Sequence, residues 1–325
     1  MTGPRPVGRP VRAYAPASIG NFAAGFDLLG AALAPLDGTL LGDVVQVENA
    51  AEDSFTLTGP YAHLLSGESR KNLVLGAYDL FKEAMTAKGL PCGPFALTLE
   101  KRLPLNSGMG SSASSIVASL AALQAICGDP MDPSELLEMA GKGEGLYSGG
   151  AHWDNVAPSL RGGLQMVVPG EGGRGSARSL PWPASALLVV VHPDYHLSTA
   201  RSRAVLPKEW PLATMLSFAG NLAAFVQALH TQDRRLLKLC LRDPLAEPHR
   251  ADLVPGFRQA KAAALAAGAL GCSLSGSGPS IFAVAWSEWE AGLIAAGITE
   301  AFRAEGLPAQ SWICGLDPQG ARILA

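Results

Sequence analysis

The spacing of apolar and polar positions divides the chain into short strand-like and helix-like stretches. Val11–Tyr14 reads as a strand, and Asp43–Glu48 as another, built on Val44, Val45 and Val47. Ser54–Leu57 is expected as the neighbour of the latter. Leu73, Ala77, Leu80, Phe81 and Met85 recur at helical spacing and predict a helix over 72–88 that Gly89 and Pro91 stop. Phe95–Glu100 is a strand. Ile116, Ala118, Leu120, Ala121 and Leu123 begin a second helix. Asp132-Pro133-Ser134-Glu135 opens a third, with proline at its first position and Glu135 placed for a capping box. That helix carries Leu136, Leu137 and Met139 toward Glu144.

Further along, Arg161–Val168 and Leu187–His192 read as strands, and Ser198 is placed to cap a short helix. Pro255–Ala267 is an alanine-rich helix ending at Gly268, and Ser273–Ala285 reads as strand, Gly/Ser turn and strand. Trp289–Glu305 is another helix and Trp312–Gly315 a last strand. No fixed-period repeat appears.

At 325 residues the chain is long enough for two domains. The glycine-rich turn Gly170–Ser176 is the expected boundary, giving domains over 11–169 and 170–325. Residues 1–10 are expected to be a disordered Pro/Gly/Arg tail, with no apolar stretch of the kind a secretory leader has. The net charge of −3 favours neither nucleic acid nor an anionic membrane surface as partner. Apolar runs such as Ala186–Val191 are too short to span a bilayer. Cys92, Cys127, Cys240, Cys272 and Cys314 are scattered, which fits reduced thiols in a cytoplasm better than disulfides or zinc. The expected partner is therefore a small molecule, with no nucleic acid and no membrane. Pairing into a homodimer stays open.

The chemistry concentrates in Leu103–Leu120, LPLNSGMGSSASSIVASL. A Gly/Ser loop that feeds directly into a helix N-terminus is an anion site, because unpaired N–H groups and the positive end of the helix dipole face the ligand. A flexible linker would not run straight into an apolar helix. The loop holds no lysine, which excludes the Walker pattern. Gly108, Gly110 and Ala113, with Asp129 further on, fit a dinucleotide fingerprint. The residues 103–107 nevertheless separate this loop from its strand, and Asp129 sits in a helix stop, so a nicotinamide-dependent enzyme is only the runner-up.

Pro104-Leu105-Asn106-Ser107-Gly108-Met109-Gly110-Ser111-Ser112-Ala113-Ser114 resembles the phosphate loop of the GHMP kinases, the group of galactokinase, homoserine kinase and mevalonate kinase. Ala15–Asp27 resembles that family's N-terminal motif, and Leu274–Ser280 its C-terminal one. Within the family, Gly42–Val45, His152–Pro158, Ser198–Arg203 and Glu247–Arg250 are similar to features of the homoserine kinase branch. The similarity runs from about Val11 to the end of the chain. The N-terminal motif departs from the common spelling at Gly20 and at Phe22-Ala23-Ala24.

The resemblance implies a two-domain α+β GHMP kinase fold: an N-terminal domain like ribosomal protein S5 domain 2 and a ferredoxin-like C-terminal domain. It implies ATP-dependent phosphorylation of L-homoserine, with Mg²⁺, in threonine biosynthesis. The loop residues 104–114 would hold the ATP phosphates and Asn72 would lie near the adenine. Ser112 and Glu144 would hold the metal. Asn21, Asp27, His152, Asn155, Thr199, Arg203 and Arg250 would surround the amino-acid substrate, with Asp27, Asn155 and Arg203 at the reacting groups. Taken alone, Asn21 and Asp27 are turn formers, Asn72 is a helix cap, Glu144 is a surface charge and His152 is structural. His192 and His196 read as structural. A related kinase for mevalonate or a sugar, or a nucleotide-binding regulator without turnover, is the alternative.

Overall fold

The structure is a computed structural model that describes residues 9–65, 72–148, 152–170 and 175–325. The expected tail over residues 1–10 lies mostly outside them. Strands and helices are mixed, as the two-domain α+β expectation has it.

The first sheet joins β1 (Val11–Pro16), β4 (Gly42–Asn49), β5 (Ser54–Thr58), β6 (Phe95–Glu100) and β13 (Arg322–Leu324), in the order β13-β1-β4-β6-β5. All pairs are antiparallel except β5 with β6, which is parallel. β5 therefore neighbours β6 and not β4 as the sequence suggested. One face of this sheet packs on α1 (Leu73–Ala87), α2 (Ser111–Ile126), α3 (Pro133–Ser148) and α4 (Trp153–Arg161). Val45, Val47, Leu97 and Leu99 meet Phe81, Ile116 and Leu120 there. The predicted helix starts hold. Asn72 accepts a hydrogen bond from the Val74 N–H, and Asp132 and Glu135 each accept from the other's N–H.

The second sheet joins β2 (Ser18–Gly20), β3 (Leu29–Pro35), β7 (Leu164–Pro169), β8 (Gly175–Leu180), β9 (Leu187–Pro193), β10 (Gly271–Leu274), β11 (Ile281–Ala285) and β12 (Ala309–Leu316). Its order is β10-β11-β9-β12-β3-β7-β8, with β2 added on β3. It is buried on both faces, which explains the unbroken apolar run of β9. Leu188 and Val190 point toward α6 (Leu212–Thr231) and α7 (Arg234–Cys240), and Val189 and Val191 toward α9 (Phe257–Ala266) and α10 (Glu288–Ala304). The two short helices α5 (Thr199–Ala204) and α8 (Glu247–Arg250) stand at the cleft. The first predicted strand after α4 starts at Leu164, because the helix runs on to Arg161. The expected boundary at Gly170–Ser176 lies largely outside the described residues, between β7 and β8, whose strands are paired.

α6 corrects one reading of the sequence. It has no charged side chain and a mean hydropathy of 1.5, so by length and composition it could cross a bilayer. Its C-terminal part is nevertheless built into the second core through Phe225, Ala228 and Leu229, while Leu212 and Leu216 are exposed.

Candidate active site

The Gly/Ser loop spans the gap between β6 and α2. Gly108 and Gly110 both have positive φ, 77° and 63°. A Cβ on Gly110 would lie 2.1 Å from the Ser18 hydroxyl, and one on Gly108 2.3 Å from the Ser275 carbonyl oxygen. β2 and the turn between β10 and β11 thus press against the backbone of the Gly/Ser turn. Ser275 also donates to the Gly108 carbonyl at 2.6 Å, and the Ser280 N–H donates to Ser107 O at 3.1 Å. The turn between β10 and β11 is thereby docked on the phosphate loop.

A cleft of about 300 Å³ opens over this junction. From the sequence-predicted set it is lined by Asn21, Asp27, Asn72, Leu105, Asn106, Ser107, Gly108, Gly110, Ser111, Ser112, Glu144, His152, Asn155, Thr199, Arg203 and Arg250. Pro104, Met109, Ala113 and Ser114 do not line it. Met109 is fully buried in the second core and Ala113 in the first. Ser114 donates to Ala15 O, tying α2 to β1. These positions shape the loop from behind.

On the loop side, the Ser112 hydroxyl donates to Glu144 Oε1 at 2.8 Å, although 32 positions separate them. α2 and α3 pack together and bring the two there. A hydroxyl and a carboxylate are hard oxygen donors of the kind Mg²⁺ takes, with most of its shell left to water and phosphate.

On the other side the titratable groups crowd. Arg203, on α5, makes two bonds to Asp27, Nη1 to Oδ2 at 3.2 Å and Nη2 to Oδ1 at 2.9 Å. Ser198 caps α5 by accepting from the Arg201 N–H, as its sequence suggested. Asp27 and Asn21 both have positive φ, and Asn21 Oδ1 accepts from the Asp27 N–H. Asn21 also donates to Gly276 O, which accepts from Arg250 Nη1 as well. Arg250 is 2% exposed, stacks over Phe26 and donates to Ser202 O. Burial, and then the Arg203 charge, lowers it to about 10. Thr199 lies 3.4 Å from Ser277, hydroxyl to hydroxyl.

His152 is the N-cap of α4 in position, but its side chain does not cap. Its Nδ1 sits 3.0 Å from Arg203 Nη2. A guanidinium only donates, so Nδ1 must accept and the proton resides on Nε2. That Nε2 is buried with no protein partner among the described residues. Burial first, and the Arg203 charge second, lower His152 to about 4, so the ring is neutral near pH 7. His192 and His196 bond to Ser280 and Asn106 respectively, in keeping with structural roles.

Asp154, within the His152–Pro158 stretch, is central here. It is buried, accepts from the Asn21 N–H at 3.0 Å and receives Asn155 Nδ2 at 3.3 Å. Asn155 in turn accepts from Ser18. Burial, and then the Asp27 charge, push Asp154 up to about 7. Gly20 explains the unusual spelling of the first motif, since a Cβ there would lie 2.5 Å from Asp154 Oδ2. Phe22 and Ala23, also at positive φ, turn Phe22 into an aromatic cluster with Trp182, Phe225 and Phe282. Asp27, His152 and Asp154 each place a donor atom within 4.8 Å of the others, a grouping that could also hold a cation. Lys101, which nothing local in the sequence singles out, lies just before the loop and is 2% exposed.

The cleft thus joins a Gly/Ser turn, a hydroxyl–carboxylate pair on one side and charged groups of both signs on the other, an arrangement chemically suited to phosphoryl transfer to a small polar acceptor. Comparison with known proteins agrees. Residues 72–163 match the family model of the GHMP kinases N terminal domain, and residues 225–304 that of the GHMP kinases C terminal domain. Homoserine kinase from Cytophaga hutchinsonii is 32% identical with a TM-score of 0.89, over 100% of each chain. Mevalonate kinase from L. major, in complex with R-mevalonate, is 16% identical with a TM-score of 0.69, over 95% of this chain and 97% of that one. Lactococcus lactis galactokinase, complexed with galactose, is 13% identical with a TM-score of 0.68, over 97% and 95%. The last two share the fold. The chain belongs to the GHMP kinases, and is thus a small-molecule kinase of a family that draws on ATP.

Proposed function

We propose that this kinase transfers the γ-phosphoryl group of ATP to the hydroxyl of L-homoserine, giving O-phospho-L-homoserine and ADP, as in threonine biosynthesis. The observation that carries the reading is the gathering of two guanidiniums, Arg203 and Arg250, and two carboxyl groups, Asp27 and Asp154, along the cleft. Two guanidiniums suit a carboxylate, and two carboxylates suit an ammonium group. A neutral sugar needs neither, and mevalonate lacks the ammonium. The 32% identity to a homoserine kinase over the full length supports the same choice.

In this reading the N–H groups of the loop and the N-terminus of α2 receive the ATP phosphates, and Asn72 sits by the base. Ser112 and Glu144 would hold Mg²⁺, which would supply neutralisation of phosphate charge. Arg203 and Arg250 fix the acceptor carboxylate, and Asp154 with Asp27 takes the ammonium. The Nε2–H of His152 is a ready donor to an acceptor oxygen, with Asn21, Asn155 and Thr199 around the rest. The transition state of phosphoryl transfer is loose, so alignment and charge stabilisation supply most of the rate. No general base is required by this arrangement. Free cysteines among the described residues are in keeping with a cytoplasmic location. The test is ADP formation with L-homoserine, mevalonate and galactose side by side. Turnover selective for L-homoserine is expected. Turnover of another alcohol in its place, or of none, overturns the assignment.

A further inference from the structure

Beneath the phosphate loop lies a buried ion pair that the reading above does not use. Asp43, on β4, is 0% exposed and Lys101 only 2%. Each oxygen of the Asp43 carboxylate has its own task. Oδ1 accepts from the backbone N–H groups of Arg102 at 2.8 Å and Leu103 at 3.0 Å, where the chain enters the loop. Oδ2 accepts from the Ser115 hydroxyl at 2.6 Å and from Lys101, where the chain has left the loop and become α2. Lys101 Nζ adds bonds to Ser111 O at 2.8 Å and Ser115 Oγ at 2.9 Å. Its three hydrogens are thereby all used, on Asp43, Ser111 and Ser115. Although Lys101 borders the cleft, it has no donor left for a ligand.

We infer that the buried Asp43–Lys101 pair is the positioning device of the phosphate loop, fastening both ends of Leu103–Gly110 to one carboxylate. The inference rests on the nucleotide reading of the cleft. The physical argument is one of register. A Gly-rich loop has many backbone states of similar energy, and only one of them aims its N–H groups at a common point. Fixing its entry at 102–103 and its exit at 111–115 from a single rigid strand removes most of those states before the ligand arrives. Burying two charges is costly, and an apolar pair would pack at least as well. What an apolar pair could not do is hold two backbone N–H groups and two hydroxyl or carbonyl groups in fixed places. Asp43 and Lys101 are therefore positioning residues, and touch neither nucleotide nor acceptor.

The experiment compares wild type, Lys101→Met and the double variant Asp43→Leu/Lys101→Met by melting curves, calorimetric titration and steady-state kinetics. The single variant leaves a buried carboxylate unpaired and can fail to fold; the double variant removes that charge, so a folded protein is there to measure. The expected result is at least a tenfold loss of affinity for Mg-ATP with less than a twofold change for adenosine, which has no phosphates. KM for ATP should rise by a similar factor, with KM for the acceptor unchanged at saturating ATP. Wild-type affinity for Mg-ATP in the folded double variant would overturn the inference. So would an equal loss for Mg-ATP and adenosine, which marks general damage to the cleft. Failure of the wild-type protein to bind Mg-ATP would overturn the nucleotide reading itself, and the inference with it.

Discussion

The Arg203 guanidinium and the Asp27 carboxylate face each other in a two-bond ion pair, 2.9 and 3.2 Å, that joins α5 to the loop after β2. Both side chains remain more than a third exposed to solvent. As a stabilising contact such a pair is worth little, because water screens it. What the pair does is hold each partner in a fixed orientation at the cleft. Arg203→Met keeps much of the aliphatic stem and removes the charge. We expect kcat/KM for homoserine to fall roughly tenfold or more, which is about 1.4 kcal/mol or more of lost transition-state binding. Homoserinol, which has no carboxylate, should lose much less. Equal losses for the two alcohols would remove Arg203 from the carboxylate.

Glu144→Gln keeps the hydrogen bond from Ser112 possible while removing the charge. The expected outcome is a higher Mg²⁺ requirement at unchanged melting temperature. Turnover measured against Mg²⁺ concentration decides it, and an unshifted curve would take Glu144 out of the metal site.

Asp154 carries a pH dependence whose sign is fixed by its position. Its folded value, about 7, lies above the ordinary carboxylate value of 3.8, so the folded protein holds this proton more tightly than the unfolded chain. Its contribution to stability is fully present below pH ~4 and is lost as pH rises through about 7. Acceptor binding should run the other way, since an ammonium group favours the ionised form. The melting temperature of ligand-free wild type should therefore decline relative to Asp154→Asn between these pH values. KM for homoserine should fall as pH passes 7, and Asp154→Asn should abolish that fall. A KM profile of the same shape in both proteins would exclude the contact.

Gly110→Ala places a methyl group on a residue at φ 63°, 2.1 Å from Ser18 Oγ and 3.1 Å from Asn155 Oδ1. The strain is felt by the loop, by β2 and by the acceptor side together. ATP affinity and acceptor affinity should both fall, along with the melting temperature. Calorimetric titration showing wild-type affinity for ATP would put the phosphates elsewhere.

What could be read in the sequence was what is local. The cap at Asn72, the capping box at Asp132 and Glu135, the turn into α2 and the Ser198 cap each depend on residues a few positions apart. Motif resemblance added pairs that periodicity cannot reach, such as Ser112 with Glu144. Elements buried on all sides escaped. β3 is a run of small apolar residues with nearly every position inside, so it shows neither period. α6 escaped for a different reason: its exposed part is as apolar as its buried part, leaving no polar face to mark a helix. Nothing local marks Lys101 as buried, since its partner Asp43 lies 58 positions earlier. The burial of Asp154 was not legible, because it depends on Gly20 and Asn21, far away in the chain.

β13 pairs with β1 through Arg12 and Leu324, Ala13 and Ile323, Tyr14 and Arg322. Arg322 lies over the Tyr14 ring and is held by Asp317. On the ribosome, β1 emerges long before β13. Throughout that interval one edge of β1 offers unpaired N–H and C=O groups to whatever strand it meets. The first sheet is then closed by a strand made after every residue of the cleft, so a product cut short before Arg322 would carry the whole cleft and still present an open, self-adhesive edge.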